Sequence, residues 1–347
     1  MLTFQRIIPT SDWWVRGKEY SDRTVSHTKE WMSYIAETHP DAVPVFADIC
    51  DGSVCVGRFF GLVFQRFGIR ILGSPFPGWT TTYMGFNLDP IVPRWLALQG
   101  LERFAFYELG CLHFEIADRL LTAADAIHCR LFPLIYHTYE TDLTKSEQEI
   151  YAGMTSPCRR CIRKAEKSGV VVEESTGDDG FVEEYYEQLK DVFLKQGLVP
   201  TYSLRTARKF IQHLWPTGNL LLLRARDPNG SCIASGIYPG LNRYSEMWGN
   251  ASFRTGHHLR PNQALHWYAM RYWKGRGAAF FDWGGEGLYK EKYGCHRVVI
   301  SRFCKSRIPI LPLLRSEAQK MFYRKRRVLS WCVLHYEKIV PSHSVSA

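Results

Sequence analysis

The hydrophobic positions of this chain fall into two runs of the same design. An apolar stretch from Val43 to Ile49 meets the polar turn Asp51-Gly52-Ser53 and resumes from Val54 to Phe60. An Asp-Gly or Asn-Gly step between strand-like runs predicts a hairpin, because glycine takes the positive φ that tight turns need. The pattern returns as Leu220 to Ala225, Asn229-Gly230-Ser231, and Cys232 to Tyr238. Each hairpin is followed by further strand-like sequence, a long amphipathic segment, and a glycine leading into a short aromatic strand that ends in an acid. Those endings are Gly110-Cys-Leu-His-Phe-Glu115 and Gly277-Ala-Ala-Phe-Phe-Asp282.

The second amphipathic segment opens on Pro261, which suits a first helical turn, and Leu265, Tyr268, Ala269 and Tyr272 recur at helical spacing. Gly275 and Gly277 close it. Its counterpart runs from about Pro93 to Leu109, and both apolar stripes read as core. Residues 1–40 read mostly as helices and 179–196 as another; Glu147 to Met154 forms a further helix with Ser146 or Thr144 as cap. The repeat predicts an α/β chain of the α+β kind: two tandem units, each a mixed, largely antiparallel sheet flanked by helices. The units are placed at 1–140 and 141–314, followed by a basic helix over 315–347.

Length and composition agree with that division. The 347 residues exceed one ordinary core, and 46% hydrophobic with 22% charged residues is a globular balance. The densest apolar run, Leu220 to Leu223, is of strand length, far below the roughly 18 residues of a spanning helix. The first fourteen residues carry Arg6, Asp12 and two tryptophans instead of a signal-peptide core, so a cytoplasmic location is expected. Ten cysteines are too sparse for a disulfide scaffold and read as small buried hydrophobes. Cys158 and Cys161 enclose two arginines and lack a second pair at zinc spacing, so no metal is expected.

Charge adds a partner to the picture. Of the net +10, residues 301–347 hold ten Lys or Arg against two Glu, and Arg159, Arg160, Arg163, Lys164 and Lys167 cluster against Glu166 alone. Both clusters call for an anion: phosphate, nucleic acid or an acidic membrane surface. The terminal one sets Arg324-Lys-Arg-Arg327 beside Met321, Val328, Leu329, Cys332, Tyr336 and Ile339 at helical spacing. Its apolar face is expected to pack on a domain, the alternative being peripheral contact with an anionic bilayer.

Three stretches of the second half together resemble the Fem-type transferases and related acyltransferases of the tandem GNAT superfold. They are Arg159-Arg-Cys-Ile-Arg-Lys-Ala-Glu-Lys-Ser-Gly169 before Val170-Val-Val; Arg260-Pro-Asn262 opening a helix; and Phe281-Asp-Trp-Gly-Gly285 followed by Gly287-Leu-Tyr-Lys-Glu-Lys-Tyr-Gly294. The resemblance spans about residues 140–305 and implies two GNAT-like domains. It also implies transfer of an acyl or aminoacyl group to an amine of a cell-envelope precursor, such as peptidoglycan, or of a sugar or peptide. The donor would be acyl-CoA or aminoacyl-tRNA, and the acceptor a small-molecule or lipid-linked precursor. Tyr289-Lys290 stands where that family has a Phe-Lys pair at the reacting end. The departure is at 254–262, where Arg254-Thr-Gly-His-His-Leu-Arg-Pro-Asn262 has one glycine in place of a Gly-rich phosphate turn.

The chemistry needs an unprotonated amine and donors for an oxyanion, where losing one donor costs about 100- to 1,000-fold. Asp282, at a strand end before two glycines, is the candidate base or amine-orienting carboxylate, the alternative being a turn-capping Asp. Lys290 is the candidate for the oxyanion charge or a donor phosphate, with Tyr289 beside it. Arg159, Arg160, Lys164, Arg254, His257, Arg260, Asn262 and Glu286 are candidates for holding donor or substrate. Only one of the adjacent His257 and His258 is expected to enter the cleft, and Glu246 is expected to face solvent. Asp282, Lys290 and the 254–262 segment should surround one cleft. No Ser-His-Asp or Cys-His pattern has local support, so direct attack is favoured over an acyl-enzyme. A non-catalytic module binding nucleic acid or an acidic glycan is the rival reading. The first copy has Glu115 but nothing like Tyr289-Lys290, and is expected to be a degenerate copy that shapes the acceptor groove.

Overall fold

The computed structural model describes residues 1–66, 68–315, 317, 320, 321, 324 and 328. The basic helix expected over 315–347 therefore lies almost wholly outside the described residues. Strands of the first half are β1 (Thr3–Ile7), β2 (Ala42–Asp51), β3 (Val54–Arg66), β4 (Ile69–Ser74), β5 (Gly85–Leu88), β6 (His113–Ala117) and β7 (Phe132–Pro133). Then come β8 (Tyr136–Asp142), β9 (Val171–Glu174), β10 (Leu220–Arg226), β11 (Cys232–Leu241), β12 (Tyr244–Glu246), β13 (Gly249–Ser252), β14 (Phe280–Asp282), β15 (His296–Ile300) and β16 (Arg302–Ser306). Helices include α1 (Ser11–Arg16), α2 (Lys29–Thr38), α3 (Arg94–Arg103), α4 (Ala123–His128) and α5 (Glu147–Gly153). The later ones include α6 (Ser156–Lys167), α7 (Asp179–Leu194), α8 (Leu204–Leu214) and α9 (Pro261–Gly275).

Both expected hairpins form. Gly52 and Gly230 sit at φ of 60° and 83°, in the left-handed region where other residues are strained. The likeness extends to a bulge in each hairpin, at Ile49/Cys50 and at Ala225/Arg226. Ser146 caps α5 with a capping box through Glu149, satisfying helix-end N–H groups that have no partner within the helix.

The sheets run β1-β2-β3-β4-β6-β16-β7, with β5 on β3, and β15-β8-β14-β12-β11-β10-β9, with β13 on β11. Each has one parallel pair, β4 with β6 and β12 with β14, among otherwise antiparallel neighbours. Sequence order does not separate them cleanly. Tyr136–Asp142 pairs with β14 and β15 in the second sheet, while Arg302–Ser306, expected in the second unit, returns to pair with β6 and β7 in the first. Each sheet is completed by a strand from the far side of the chain, a long-range pairing that local periodicity does not encode.

The halves also share a core. Trp31 and Tyr34 of α2 meet the ring of Phe210 on α8 edge-on at 5.3 and 5.1 Å, and all three are fully buried. Aromatic burial of this kind stabilises by about 1.5–3 kcal/mol per side chain, so the two sheets are held as one body.

Candidate active site

Three carboxylates share one face of the second sheet. Asp282 of β14 pairs in register with Glu246 of β12 on one side and with Glu140 of β8 on the other. Side chains directly opposite in a sheet point the same way, about 4.5–5.5 Å apart at Cβ. The row is therefore a consequence of register alone.

Like charges so close must be compensated or neutralised. Glu140 is compensated: Arg119, just past β6, meets it with both guanidinium nitrogens, Nη2 lying 2.6 Å from Oε2. Asp282 is buried, and its Oδ1 accepts from Thr138 Oγ1 at 2.5 Å and from Gly284 N at 2.8 Å. Thr138 precedes Glu140 by two residues, which puts both on the same face of β8. Oδ2 of Asp282 is buried and has no hydrogen-bond partner among the described residues. Burial, reinforced by Glu140, pushes the Asp282 carboxyl up to about 6 against the pull of Thr138, Gly284 and Arg119. Glu246, which accepts only a long bond from Thr82 at 3.3 Å, is pushed up to about 8 by burial and by the Asp282 charge.

Asp282 and Glu246 line a cavity between the two halves. The first half contributes Thr24 to Ser26, Trp31, Thr81 to Tyr83 and Arg119; the second contributes Tyr244, Glu246, Phe280 and Asp282. Toward solvent the wall continues past Tyr83, Arg119, Tyr244 and Phe280 to Ser21, Arg243 and Ser301. The Arg119 guanidinium lies 4.7 and 4.8 Å from the Tyr244 and Phe280 rings, which stack on each other at 5.7 Å. Glu246, expected to face solvent, thus belongs to the cavity, because pairing β12 beside β14 fixes its face.

The other expected residues divide. Lys290 is buried behind Asp282, and its Nζ donates to the carbonyls of Trp283, Gly284 and Gly285 at 2.7, 2.9 and 2.8 Å. An ammonium has three protons, so none is left for an oxyanion or a phosphate. Burial lowers its pKa to about 8. Its geometry is that of a clamp on the loop after Asp282, with Gly284 and Gly285 at positive φ. Tyr289 is 55% exposed beside it. Glu286 is exposed and bound to Arg297 at 2.7 Å and His137 at 3.0 Å, away from the row.

The 254–262 segment does not reach the Asp282 cavity; its residues are absent from that wall. It forms a 3₁₀ turn, not an extended strand, so both histidines take local roles: His257 meets Ser252 at 3.0 Å and His258 the Thr255 carbonyl at 2.8 Å. Arg254 is tied to Asp191, and Asn262 donates to Ser252. Arg159 turns back onto the carbonyls of Ala152 and Met154. Arg260, at φ 64°, instead joins α6 in a basic groove lined by Arg160, Arg163, Lys164 and Lys167, with Cys161 at its edge. Among the described residues no acid lies within ion-pair distance of these five. Nor do the described residues include a group of three His, Cys, Asp or Glu side chains that could hold a metal.

Sequence reasoning missed Arg119, Glu140, Thr138 and Thr82. None stands in a local motif; the single available signal was the alternation that puts Thr138 and Glu140 on one face.

The comparisons with known proteins agree with this architecture. The profile of the acetyltransferase (GNAT) domain matches residues 155–293. No curated protein matches the sequence. Among solved structures, FemX superposes with a TM-score of 0.72 at 13% identity, covering 90% of this chain and 99% of that one. A tandem GNAT protein from the clavulanic acid biosynthesis pathway gives 0.52 at 12%, covering 89% and 99%. L-PGS from Bacillus licheniformis gives 0.53 at 11%, covering 85% and 96%. At these identities the structures establish the fold, a tandem of GNAT-like units. The domain match adds an acetyltransferase (GNAT) signature over residues 155–293, within the second of these units.

Proposed function

We propose that the chain is an N-acyltransferase whose acceptor amine sits in the cavity between the halves, against Glu246 and Asp282. One observation carries the reading: a buried carboxylate oxygen, Asp282 Oδ2, lacks a partner among the described residues in a cavity that Glu246 also lines and whose one arginine, Arg119, is taken up by Glu140. An incoming ammonium would supply the missing donor. With its pKa near 6, Asp282 is ionised at neutral pH and still basic enough to take the proton. The freed amine then attacks the acyl carbon directly. The new C–N bond forms, the bond from that carbon to the donor's leaving group breaks, and the second amine proton leaves with the departing group. Lys290 serves by holding the 283–285 loop against Asp282.

The basic groove would bind phosphates of the donor, acyl-CoA or aminoacyl-tRNA. Its breadth favours the second: Arg160 to Lys167 spans about 10 Å of helix, room for successive phosphates of a nucleic-acid backbone. The acceptor in this reading is a cell-envelope precursor, sugar or peptide. Ile310, Leu313 and Leu314 are exposed beside Arg307, which suits peripheral contact of a cytoplasmic protein with the inner face of an anionic membrane. A non-catalytic binding module would have no use for two uncompensated carboxylates in a cavity.

The test is Asp282→Asn, close in shape. It should lower kcat by 100- to 10,000-fold in transfer to an amine acceptor while the melting temperature holds. Retained activity would sink the reading.

A further inference from the structure

The proposed reaction uses Asp282 and Glu246 and leaves Arg119 and Glu140 without a task. A buried ion pair is a poor device for stability, since desolvation offsets most of its attraction. Its position is more informative than its strength. Glu140 is the direct register neighbour of Asp282, and the same strand supplies Thr138, which donates to Asp282. Arg119 comes from the other half of the chain and is held on two sides, by both oxygens of Glu140 and by the Tyr244 and Phe280 rings.

The surroundings of Asp282 are otherwise short of positive charge. It is faced by Glu246 from β12, by Glu140 and Thr138 from β8, and by Tyr83 from the loop before β5. Lys290 approaches from behind the 283–285 loop, with its protons given to carbonyls. Arg302 of β16 directs its guanidinium to the Pro75 carbonyl instead. Without Arg119, the Glu140 carboxylate would stand beside Asp282 with no counter-charge.

We propose that Arg119 and Glu140 act as a positioning pair for Asp282, in which Glu140 orients the guanidinium and the guanidinium cancels the Glu140 charge, keeping Asp282 ionised for the acceptor amine. Neither touches the reacting atoms. The proposal rests on the reading of Asp282 as the base, but it concerns the state of that carboxylate before any substrate binds.

The test tracks the carboxyl carbon of Asp282 by ¹³C NMR through a pH titration of the full chain, without donor or acceptor, the signal being assigned with Asp282→Asn. Arg119→Gln should raise the midpoint by about one pH unit, because Glu140 loses its counter-charge. Glu140→Gln should lower it by a similar amount, because a neighbouring negative charge disappears while Arg119 stays. The double variant should return close to the wild-type midpoint, and Arg119→Lys should restore most of the single-variant shift. Single variants that melt earlier but leave the midpoint in place would mean that the pair is only structural, and would overturn the proposal. Should Arg119→Gln not fold, Glu140→Gln decides alone, and an unmoved or raised midpoint refutes it. Absence of transfer to every amine tried would count against the proposed function and leave this titration intact.

Discussion

Each sheet carries a buried acid on the short strand that follows its long helix, and only one acid opens onto a cavity. In the second sheet the register row reads Glu246, Asp282, Glu140; in the first, the equivalent row reads Gly73, Glu115, Cys304. Glu115 is as buried as Asp282, but Arg315 donates to it and His113 lies 3.3 Å away. The place where Glu246 would stand is filled: a Cβ on Gly73 would lie 2.5 Å from the ring of Phe76. One copy thus has a single acid with a counter-charge and a packed ring. The other has three acids, one arginine and a cavity. Each acid keeps one buried oxygen without a partner among the described residues, Glu115 Oε2 and Asp282 Oδ2, so the difference lies in the cavity and the second acid beside Asp282.

The sharpest way to break this comparison is to neutralise both acids in turn. Glu115→Gln should leave kcat within about twofold while costing stability, about 1–3 kcal/mol for a buried polar group left without its partner, read as a lower melting temperature. Asp282→Asn should do the reverse. Equal effects on rate would dissolve the distinction.

Lys290→Met comes next. Three carbonyls lose their donor, so we expect about 3 kcal/mol of destabilisation and a loop that exchanges its amide protons faster. A lysine acting on the oxyanion would instead lower kcat at unchanged melting temperature.

The pH dependence is smaller and has a definite sign. A carboxyl whose folded pKa lies above its unfolded value binds its proton more tightly when folded, so its contribution to stability falls as pH rises between the two. For Asp282 that window runs from 3.8 to about 6, and for Glu246 from 4.5 to about 8. Thermal melts across pH 4 to 8 should show this decline in the wild type and lose its lower part in Asp282→Asn. The transfer rate should rise as pH passes about 6, where the folded Asp282 ionises.

The smallest effect on the fold is expected at the basic groove. Arg163→Glu with Lys164→Glu should leave the melting temperature within about 1 °C, consistent with exposed substitutions. It should raise KM for a phosphate-bearing donor and flatten its salt dependence. An unchanged KM would remove the groove from the reaction.

Much of the fold was legible because it is local. The hairpins, the caps and α9 arise from turn residues and from periods of 2 and 3.6, which neighbouring residues set among themselves. Asp282 was legible for the same reason, standing at a strand end before two glycines. Lys290 was found by its motif but misjudged in role, since a motif does not show that a side chain's protons are already given to carbonyls. Glu246 was misjudged because the face of a three-residue strand is set by its partner.

By itself, then, the sequence determined two copies of one unit, their hairpins, α5 and α9, and the basic face of α6, whereas β6 runs on past Glu115 to Ala117. Only the tertiary structure decided that β8 and β16 cross to opposite sheets, that residues 140, 246 and 282 form one row, and that Arg119 reaches it from the other half. The physical reason is range. Turn and helix preferences act over a few residues, whereas sheet register and shared burial join segments more than a hundred residues apart, and the carboxylate row exists only through that register.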